Sequence, residues 1–226
     1  LLLRERAEPP AELVQKDERK RRMRGLSHPV GRGRETLTPE EPVVHQEVVQ
    51  ALRLAGRLAQ LLPGSLERVF FSDSGSVAVE IALKMATQYW INRGARGKKR
   101  FVAFYGAYHG DTLGAMSVSD LDTGMHASLA GVLPEHHIID LPENPATATA
   151  LDKLLKDRSD TIAAIVVEPL VQGAGGMKFH DADAPRHLRA LADEHDVLLI
   201  FDEVFTGFAR TGTMFACEQA GVAPDI

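Results

Sequence analysis

The sequence predicts an α/β protein built on a mainly parallel sheet with helices on both faces. Short apolar and β-branched runs alternate with longer segments of helical periodicity between residues 69 and 201. Strands separated by helices are typical of parallel sheets, whose strands are buried on both faces. A polar or glycine-rich segment follows each of four predicted strands, at the edge where ligands bind in such sheets.

The first predicted elements are a helix, a strand and a second helix. Apolar residues at helical spacing predict an amphipathic helix that ends at Pro63-Gly64, and its ridge consists of Val48, Leu52, Ala55 and Leu58. A short strand is predicted at 69–72. The helix at 76–92 has two apolar ridges and ends near Gly94.

The rest of the chain continues the alternation. The predicted strands are 100–104, 137–141, 163–167 and 197–201, and the helices between them are 151–158 and 185–195. Ligands of such sheets bind beyond the carboxyl ends of the strands, where four segments lie: 72–76, 104–111, 168–176 and 202–207. Four polar or glycine-rich segments at one edge of the sheet predict a ligand site there.

Residues 1–42 are predicted to be a mostly irregular basic arm, with a short polar helix near residues 12–24. Five prolines interrupt this arm, and residues 1–34 hold ten basic and five acidic side chains. The arm is therefore +5 and the remainder −10, which sums to the net charge of −5. A nucleic-acid-binding arm is one hypothesis. A solvated tail is favoured over it, because the arm has no aromatic ring to stack on a base.

Composition excludes several classes of protein. The 226 residues are 44% hydrophobic and 25% charged, which is ordinary for a globular protein. No apolar run has the length of a membrane span, and the start does not resemble a secretory signal. The single cysteine, Cys217, excludes an intramolecular disulfide or a cysteine-rich zinc site and fits the reducing cytoplasm.

The segment 72–76 joins a strand to a helix and is a candidate phosphate site. Gly75 allows close approach of the backbone to a ligand, and the free amides of a helix start favour an anion. Ser74 or Ser76 could add a hydroxyl group. The alternative is that Ser74 is only the N-cap of the helix.

Asp202 and Glu203 place two carboxylates at the end of an apolar strand. The magnesium-binding acid of a nucleotide hydrolase would require a phosphate-binding loop that the sequence lacks. A second interpretation is a buried carboxylate that pairs with a cationic heterocycle nitrogen, since a buried acid needs a partner. The third is a carboxylate satisfied by neighbouring backbone amides.

Three further positions are candidates with open alternatives. Tyr108 could stack on a planar ligand. His109 is interpreted as a general base or, more often for a histidine in a tight turn, as a structural hydrogen-bonding residue. Glu168 is equally well a ligand contact or part of a local salt bridge. The pair His136-His137 is a weak metal signal, because adjacent strand residues point in different directions.

Together, these segments resemble the class III pyridoxal-phosphate-dependent aminotransferases of fold type I. The motifs are Ser72–Glu80 (SDSGSVAVE), Tyr108–Asp111 (YHGD), Val167–Pro169 (VEP) and Ile200–Gly212 (IFDEVFTGFARTG). The resemblance extends from about His45 to Ile226. It implies that 43–226 is part of the pyridoxal-phosphate-binding large domain, without the carboxy-terminal small domain.

The resemblance also implies the roles of site residues. Gly75 and Ser76 would hold the cofactor phosphate, while Tyr108 and Val204 would pack on opposite faces of the pyridine ring. Asp202 would pair with the pyridine nitrogen, and His109 and Glu168 would lie beside the cofactor. Asp202 and Tyr108 are the implied catalytic residues. No metal site is expected.

Two positions differ from the family pattern. Phe205 stands where many members have a glutamine that reaches the cofactor hydroxyl group, so that contact is not expected here. Ala209 stands where a glycine is usual.

Within the family, the biotin-biosynthesis members are the most similar. The activity implied is amino transfer from S-adenosylmethionine to 8-amino-7-oxononanoate by a homodimer. The alternatives are another class III aminotransferase with an ω-amino donor such as ornithine or 4-aminobutyrate, and a non-catalytic remnant whose basic arm binds nucleic acid. In the family, the Schiff-base lysine follows Pro-Asp-Ile, whereas Pro224-Asp225-Ile226 ends this chain. We therefore expect the chain alone to be inactive, because that lysine supplies the covalent anchor and the general base.

Overall fold

The computed structural model describes residues 2–4, 41–64, 66–121 and 124–226. Its helices are α1 (Glu41–Leu61), α2 (Gly75–Asn92), α3 (Leu113–Ser117), α4 (Pro145–Arg158), α5 (Asp183–Glu194) and α6 (Ala216–Ala220), with a 3₁₀ helix at Ala127–Val132. Its strands are β1 (Leu2–Arg4), β2 (Leu66–Val69), β3 (Arg100–Phe104), β4 (His137–Ile139), β5 (Ile162–Val167), β6 (Val171–Gln172), β7 (Lys178–Phe179) and β8 (Leu198–Phe201). The predicted helix near residues 12–24 lies outside the described residues.

A four-stranded sheet forms the centre of the molecule. Its order is β4-β3-β5-β8, and every neighbouring pair is parallel. All six residues of β5 are buried, as a strand covered on both faces requires. The predicted parallel α/β sheet is confirmed.

Side chains of the sheet alternate between two apolar cores. Phe101 and Ala103 pack into the core that contains α2 residues such as Trp90. Val102 and Phe104 pack into the opposite core with Leu188 of α5. Period-two alternation sends successive side chains to opposite faces, so the arrangement has three layers with the sheet in the middle.

The predicted strand at 69–72 is wrong in position and in partner. The strand is Leu66–Val69, and it pairs antiparallel with β1 instead of joining the central sheet. Phe70 and Phe71 follow it and are exposed. The β-branched and aromatic run favours extended backbone, but the pairing with Leu2–Arg4, which the sequence did not predict, fixes the register.

Local signals bound the other elements well. Ser74 caps α2 by accepting a hydrogen bond from the Val77 amide, and Gly94 follows the helix with φ of +84°. Asn144 and Thr147 form a capping box that begins α4 six residues before the predicted start. The hairpin β6–β7 was not predicted, because its two-residue strands are too short to show a pattern.

Candidate functional site

The carboxyl ends of β3, β5 and β8 meet the start of α2 around one cavity of about 330 Å³. The residues that line it are Gly75, Ser76, Tyr108, His109, Gly110, Glu168, Ala174, Asp202, Val204 and Phe205. All seven residues proposed from the sequence as cofactor contacts are in this set, and they come from all four segments identified by the strand-end rule. The size is within the range of small-ligand sites.

The start of α2 forms one wall of the cavity and can accept an anion. The first amides of a helix have no intrahelical acceptor, and the Ser74 side chain takes up that of Val77. The amides of Gly75 and Ser76 are therefore the candidate donors. The first turn contains no acidic side chain to compete for them.

Gly75 also allows the strand end of β8 to approach α2. A Cβ on Gly75 would lie 3.1 Å from Cγ1 of Val204, which is closer than most real contacts. Val204 is itself 66% exposed and lines the cavity. The helix start and the segment after β8 therefore meet at this glycine, and any larger side chain there would push the two apart.

Asp202 is the buried carboxylate of the site, with 8% of its surface exposed. Its Oδ2 lies 2.7 Å from Nδ1 of His109, and its Oδ1 accepts a hydrogen bond from the Val204 amide at 3.1 Å. Nδ1 of His109 donates in this pair when the ring is neutral, because a carboxylate can only accept. The two bonds fix the orientation of the carboxylate at the cavity wall.

Glu203, the neighbouring carboxylate, has a different role. Its oxygens accept hydrogen bonds from the amides of Ala216 and Cys217, at 2.8 and 2.9 Å, and from the hydroxyl of Thr206. It therefore caps the start of α6. Both carboxylates accept hydrogen bonds from backbone amides, but Glu203 is directed at the start of α6, whereas Asp202 lines the cavity.

Glu168 connects two walls of the cavity. Its carboxylate accepts hydrogen bonds from the amides of Tyr108, at 3.2 Å, and Gly173, at 3.0 Å. Burial raises the pKa of Glu168, while the positive charge of His109, when protonated, and the two amides act in the opposite direction. The salt-bridge alternative is not what the structure shows, since backbone amides hold this side chain.

Tyr108 lines the cavity from the loop that follows β3. Its hydroxyl donates to Oδ1 of Asp111 at 3.0 Å, and the ring of His126 stacks on it with centroids 5.8 Å apart. Burial, followed by the hydrogen bond and charge of Asp111, raises the pKa of the Tyr108 phenol. The phenol therefore remains protonated at neutral pH and acts as a donor.

Three buried or partly buried hydrogen bonds hold the segment that carries Tyr108 and His109. The His109 amide donates to Oγ of Ser119, and the Gly106 amide donates to the carboxylate of Asp120. Gln172 of β6 donates from Nε2 to the Tyr105 carbonyl oxygen. Ser119 and Asp120 lie 10 or more positions from the loop atoms they hold and carry no motif, so no sequence pattern indicated them. Gln172 lies in the predicted segment 168–176, although no role was predicted for it.

The two departures from the family pattern are explained in different ways. Phe205 lines the cavity and packs against an apolar cluster that contains Leu170 and Val171, so it contributes shape where a glutamine would contribute a hydrogen bond. Ala209 has φ of +64°, in the left-handed region that favours glycine. Ala209 therefore adopts the left-handed backbone conformation that glycine favours.

The His136-His137 pair is not part of the cavity. The ring of His136 packs edge-on against Phe101 with centroids 5.1 Å apart. Burial, with Arg100 and His137, lowers the pKa of His136 to about 4, so the ring is neutral at physiological pH. Its role in the structure is packing.

Comparison with known proteins places these features in a family. The sequence model described as Aminotransferase class-III matches residues 40–226. The adenosylmethionine-8-amino-7-oxononanoate aminotransferase of Mycobacterium leprae (strain TN) is 50% identical over 182 residues, covering 78% of this chain and 41% of that protein. The protein of the same name from Geobacter sulfurreducens is 43% identical over 191 residues, covering 78% of this chain and 42% of its own length.

Solved structures give the same fold. The adenosylmethionine-8-amino-7-oxononanoate aminotransferase from Methanocaldococcus jannaschii superposes with a TM-score of 0.70 at 28% identity, over 96% of this chain and 46% of that one. A PLP-bound amine transaminase from an uncultivated Pseudomonas species has a TM-score of 0.67 at 35% identity, over 96% and 49%. The chain spans about two fifths of the length of the curated relatives it matches. None of the helices in the described part of the chain combines the length and apolarity needed to cross a bilayer.

Proposed function

This chain belongs to the class III aminotransferases, and from that premise we propose that its cavity binds pyridoxal phosphate. The observation that carries the proposal is the position of Asp202, a buried carboxylate held by His109 on the same cavity as the start of α2. An anion site and a buried carboxylate across one cavity fit a ligand with a phosphate at one end and a basic ring nitrogen at the other.

The residues present fit this cofactor. The amides of Gly75 and Ser76 would hold the phosphate, and the missing Cβ of Gly75 lets Val204 approach the helix start. Asp202 would accept a hydrogen bond from the ring nitrogen. Tyr108 and Val204, both on the cavity wall, would pack on the ring faces. When bound, pyridoxal phosphate supplies a cationic ring that withdraws electrons from the reacting carbon of an amine substrate.

The protein's own part in the chemistry is to orient groups and place protons. His109 keeps the Asp202 carboxylate directed at the cavity. Glu168, at the end of β5, holds the Tyr108 loop in place by accepting hydrogen bonds from the amides of Tyr108 and Gly173. The hydroxyl of Tyr108 keeps its proton at neutral pH, and burial followed by Asp111 raises the pKa of the phenol further. Phe205 offers no hydrogen bond to the cofactor and excludes water at the wall it forms.

For the whole protein we propose amino transfer from S-adenosylmethionine to 8-amino-7-oxononanoate, a reaction of biotin biosynthesis. Support comes from the two relatives named for it at 50% and 43% identity. The alternative of an ω-amino donor has support from the 35% identity to an amine transaminase. An amino-donor panel on the protein extended beyond Ile226 separates them, because only the first predicts use of S-adenosylmethionine.

We also propose that the 226 residues alone do not transaminate. The cavity wall formed by the described residues contains no lysine that could anchor the cofactor covalently. The purified chain should bind pyridoxal phosphate reversibly and show no transfer from any donor. Detectable transamination would contradict this, and failure to bind pyridoxal phosphate in equilibrium dialysis would contradict the function itself.

A homodimer in the cytoplasm is the proposed state of the whole protein. Met125, which precedes the His126 that stacks on Tyr108, is apolar and 73% exposed. Exposed apolar surface beside a ligand site is typical of an interaction surface. Light scattering coupled to size-exclusion chromatography on the extended protein would test this, and a monomer would contradict it.

A further inference from the structure

The face of α2 that contains Ser76 also contains Glu80, one helical turn further on. Residues at this spacing lie on the same side of a helix. Glu80 does not line the cavity formed by the described residues, yet it is half-buried and directed at the loop that follows Tyr108. Its carboxylate is therefore placed to act on the site through that loop.

Glu80 makes two short hydrogen bonds across the gap between α2 and the start of α3. Its Oε2 accepts from the amide of Gly114 and from the hydroxyl of Thr112, both at 2.8 Å. Thr112 also lies 3.3 Å from the Ser76 carbonyl oxygen. Because a hydroxyl has one proton, the shorter contact to the charged carboxylate is the one that receives it.

The carboxylate replaces the cap that α3 lacks. Thr112 occupies the N-cap position of α3 but makes no side-chain capping bond of its own. α3 has only five residues, and so short a helix depends on contacts from outside it. Glu80 provides both an acceptor for a helix-start amide and a negative charge at the positive end of the helix.

Two glycines allow the loop to lie this close to α2. A Cβ on Gly114 would clash with the Glu80 carboxylate. A Cβ on Gly110 would lie 2.6 Å from the Ser76 Cα, and Gly110 has φ of +124°. The amide of Asp111 donates to Oγ of Ser76 at 3.0 Å. The loop is thus clamped at both of its ends, by Ser76 and by Glu80.

We propose that Glu80 is a positioning residue that fixes the loop of residues 110–114 on α2, and thereby the Asp111 carboxylate that holds the Tyr108 hydroxyl at the cofactor cavity. The proposal rests on the proposed function, since it assumes that pyridoxal phosphate binds between the start of α2 and Tyr108. Glu80 touches neither the cavity nor the cofactor and acts only through Thr112 and Gly114.

The test measures the affinity of the purified chain for pyridoxal phosphate in Glu80→Ala and Glu80→Gln. Loss of both bonds in Glu80→Ala should weaken binding about tenfold. Glu80→Gln keeps a carbonyl oxygen that can accept both bonds and should remain within about threefold of the original affinity. Glu47→Ala, on the exposed face of α1, is the matched control and should bind unchanged.

Hydrogen exchange separates positioning from general destabilisation. In Glu80→Ala, the amides of Gly114 and its neighbours in α3 should exchange faster, while those of β5 and β8 keep their protection. Thr112→Val removes one of the two bonds, keeps the Gly114 bond, and should give a smaller change in the same direction. It serves as the test if Glu80→Ala does not fold.

The outcomes distinguish this inference from the proposed function. If the original chain does not bind pyridoxal phosphate, the proposed function is overturned and the role of Glu80 with it. If the original chain binds and Glu80→Ala, or Thr112→Val in its place, binds equally well, only the positioning role is overturned. A loss in Glu80→Ala that Glu80→Gln does not restore even in part also overturns it, because the hydrogen-bond acceptor then contributes nothing.

Discussion

Helices α1 and α2 have similar lengths and similar apolar spacing but very different surroundings. α2 covers the central sheet and buries Trp90, which is 2% exposed and donates from Nε1 to the Ala163 carbonyl oxygen of β5 at 2.8 Å. α1 leaves Leu52 67% exposed. Periodicity therefore identifies the apolar face of a helix, whereas burial of that face requires a partner that is distant in the sequence.

The largest effect expected from this difference is on stability. Trp90→Ala should reduce the free energy of unfolding by about 3–5 kcal/mol, because it leaves a large cavity and an unsatisfied carbonyl group in the core. Leu52→Ala on α1 should cost less than about 0.5 kcal/mol, since its side chain is already in water. Urea unfolding followed by circular dichroism measures both. Equal losses of unfolding free energy in the two variants would contradict the different burial of α1 and α2.

The next effect concerns the carboxyl edge of the sheet, where the neighbouring acids Asp202 and Glu203 have separate roles. Asp202→Asn should weaken pyridoxal phosphate binding by about 10- to 100-fold, because it removes the charged partner of the ring nitrogen. Glu203→Gln should leave the affinity unchanged and cost about 1 kcal/mol of stability through its cap on α6. Isothermal titration and thermal melts measure these, and a reversed pattern would refute the assignment.

A smaller effect is expected from pH at the edge of the central sheet. Burial lowers the pKa of His136 to about 4 in the folded protein, while the unfolded chain keeps the ordinary value near 6.5. The unfolded state therefore binds the additional proton between these values, and stability present above pH 6.5 is lost as pH falls towards 4. The loss by pH 5 should reach up to about 2 kcal/mol.

His136→Phe is the matched variant for this prediction. It keeps an aromatic ring against Phe101 and removes the titrating group. The difference between the urea midpoints at pH 7.5 and pH 5 should therefore be smaller in His136→Phe than in the original protein. An equal or greater difference would show that other groups carry the acid sensitivity.

The smallest effect is expected at Ala209, in the segment that follows β8. Ala209→Gly should stabilise the protein by about 0.5–1 kcal/mol, because glycine adopts the left-handed conformation of this position without steric cost. Ala150→Gly, in the exposed face of α4, should destabilise it by a similar amount. Thermal melts of the two variants should shift in opposite directions, and shifts of the same sign would contradict the prediction.

The sequence alone determined the parallel sheet, the four strand-end segments and the seven residues that the structure brings to one cavity. The sheet and the segments rest on local patterns, since buried strands are apolar, helices have their own period, and carboxyl ends of parallel strands share an edge. The set of seven residues rests on the resemblance to the family as well, and Val204 rests on that resemblance alone. The tertiary structure decided what depends on distant partners. It placed Leu66–Val69 beside Leu2–Arg4 instead of in the sheet, and it gave Asp202 to the cavity and Glu203 to a helix start. Such pairings join residues far apart in the chain, and no local pattern contains them.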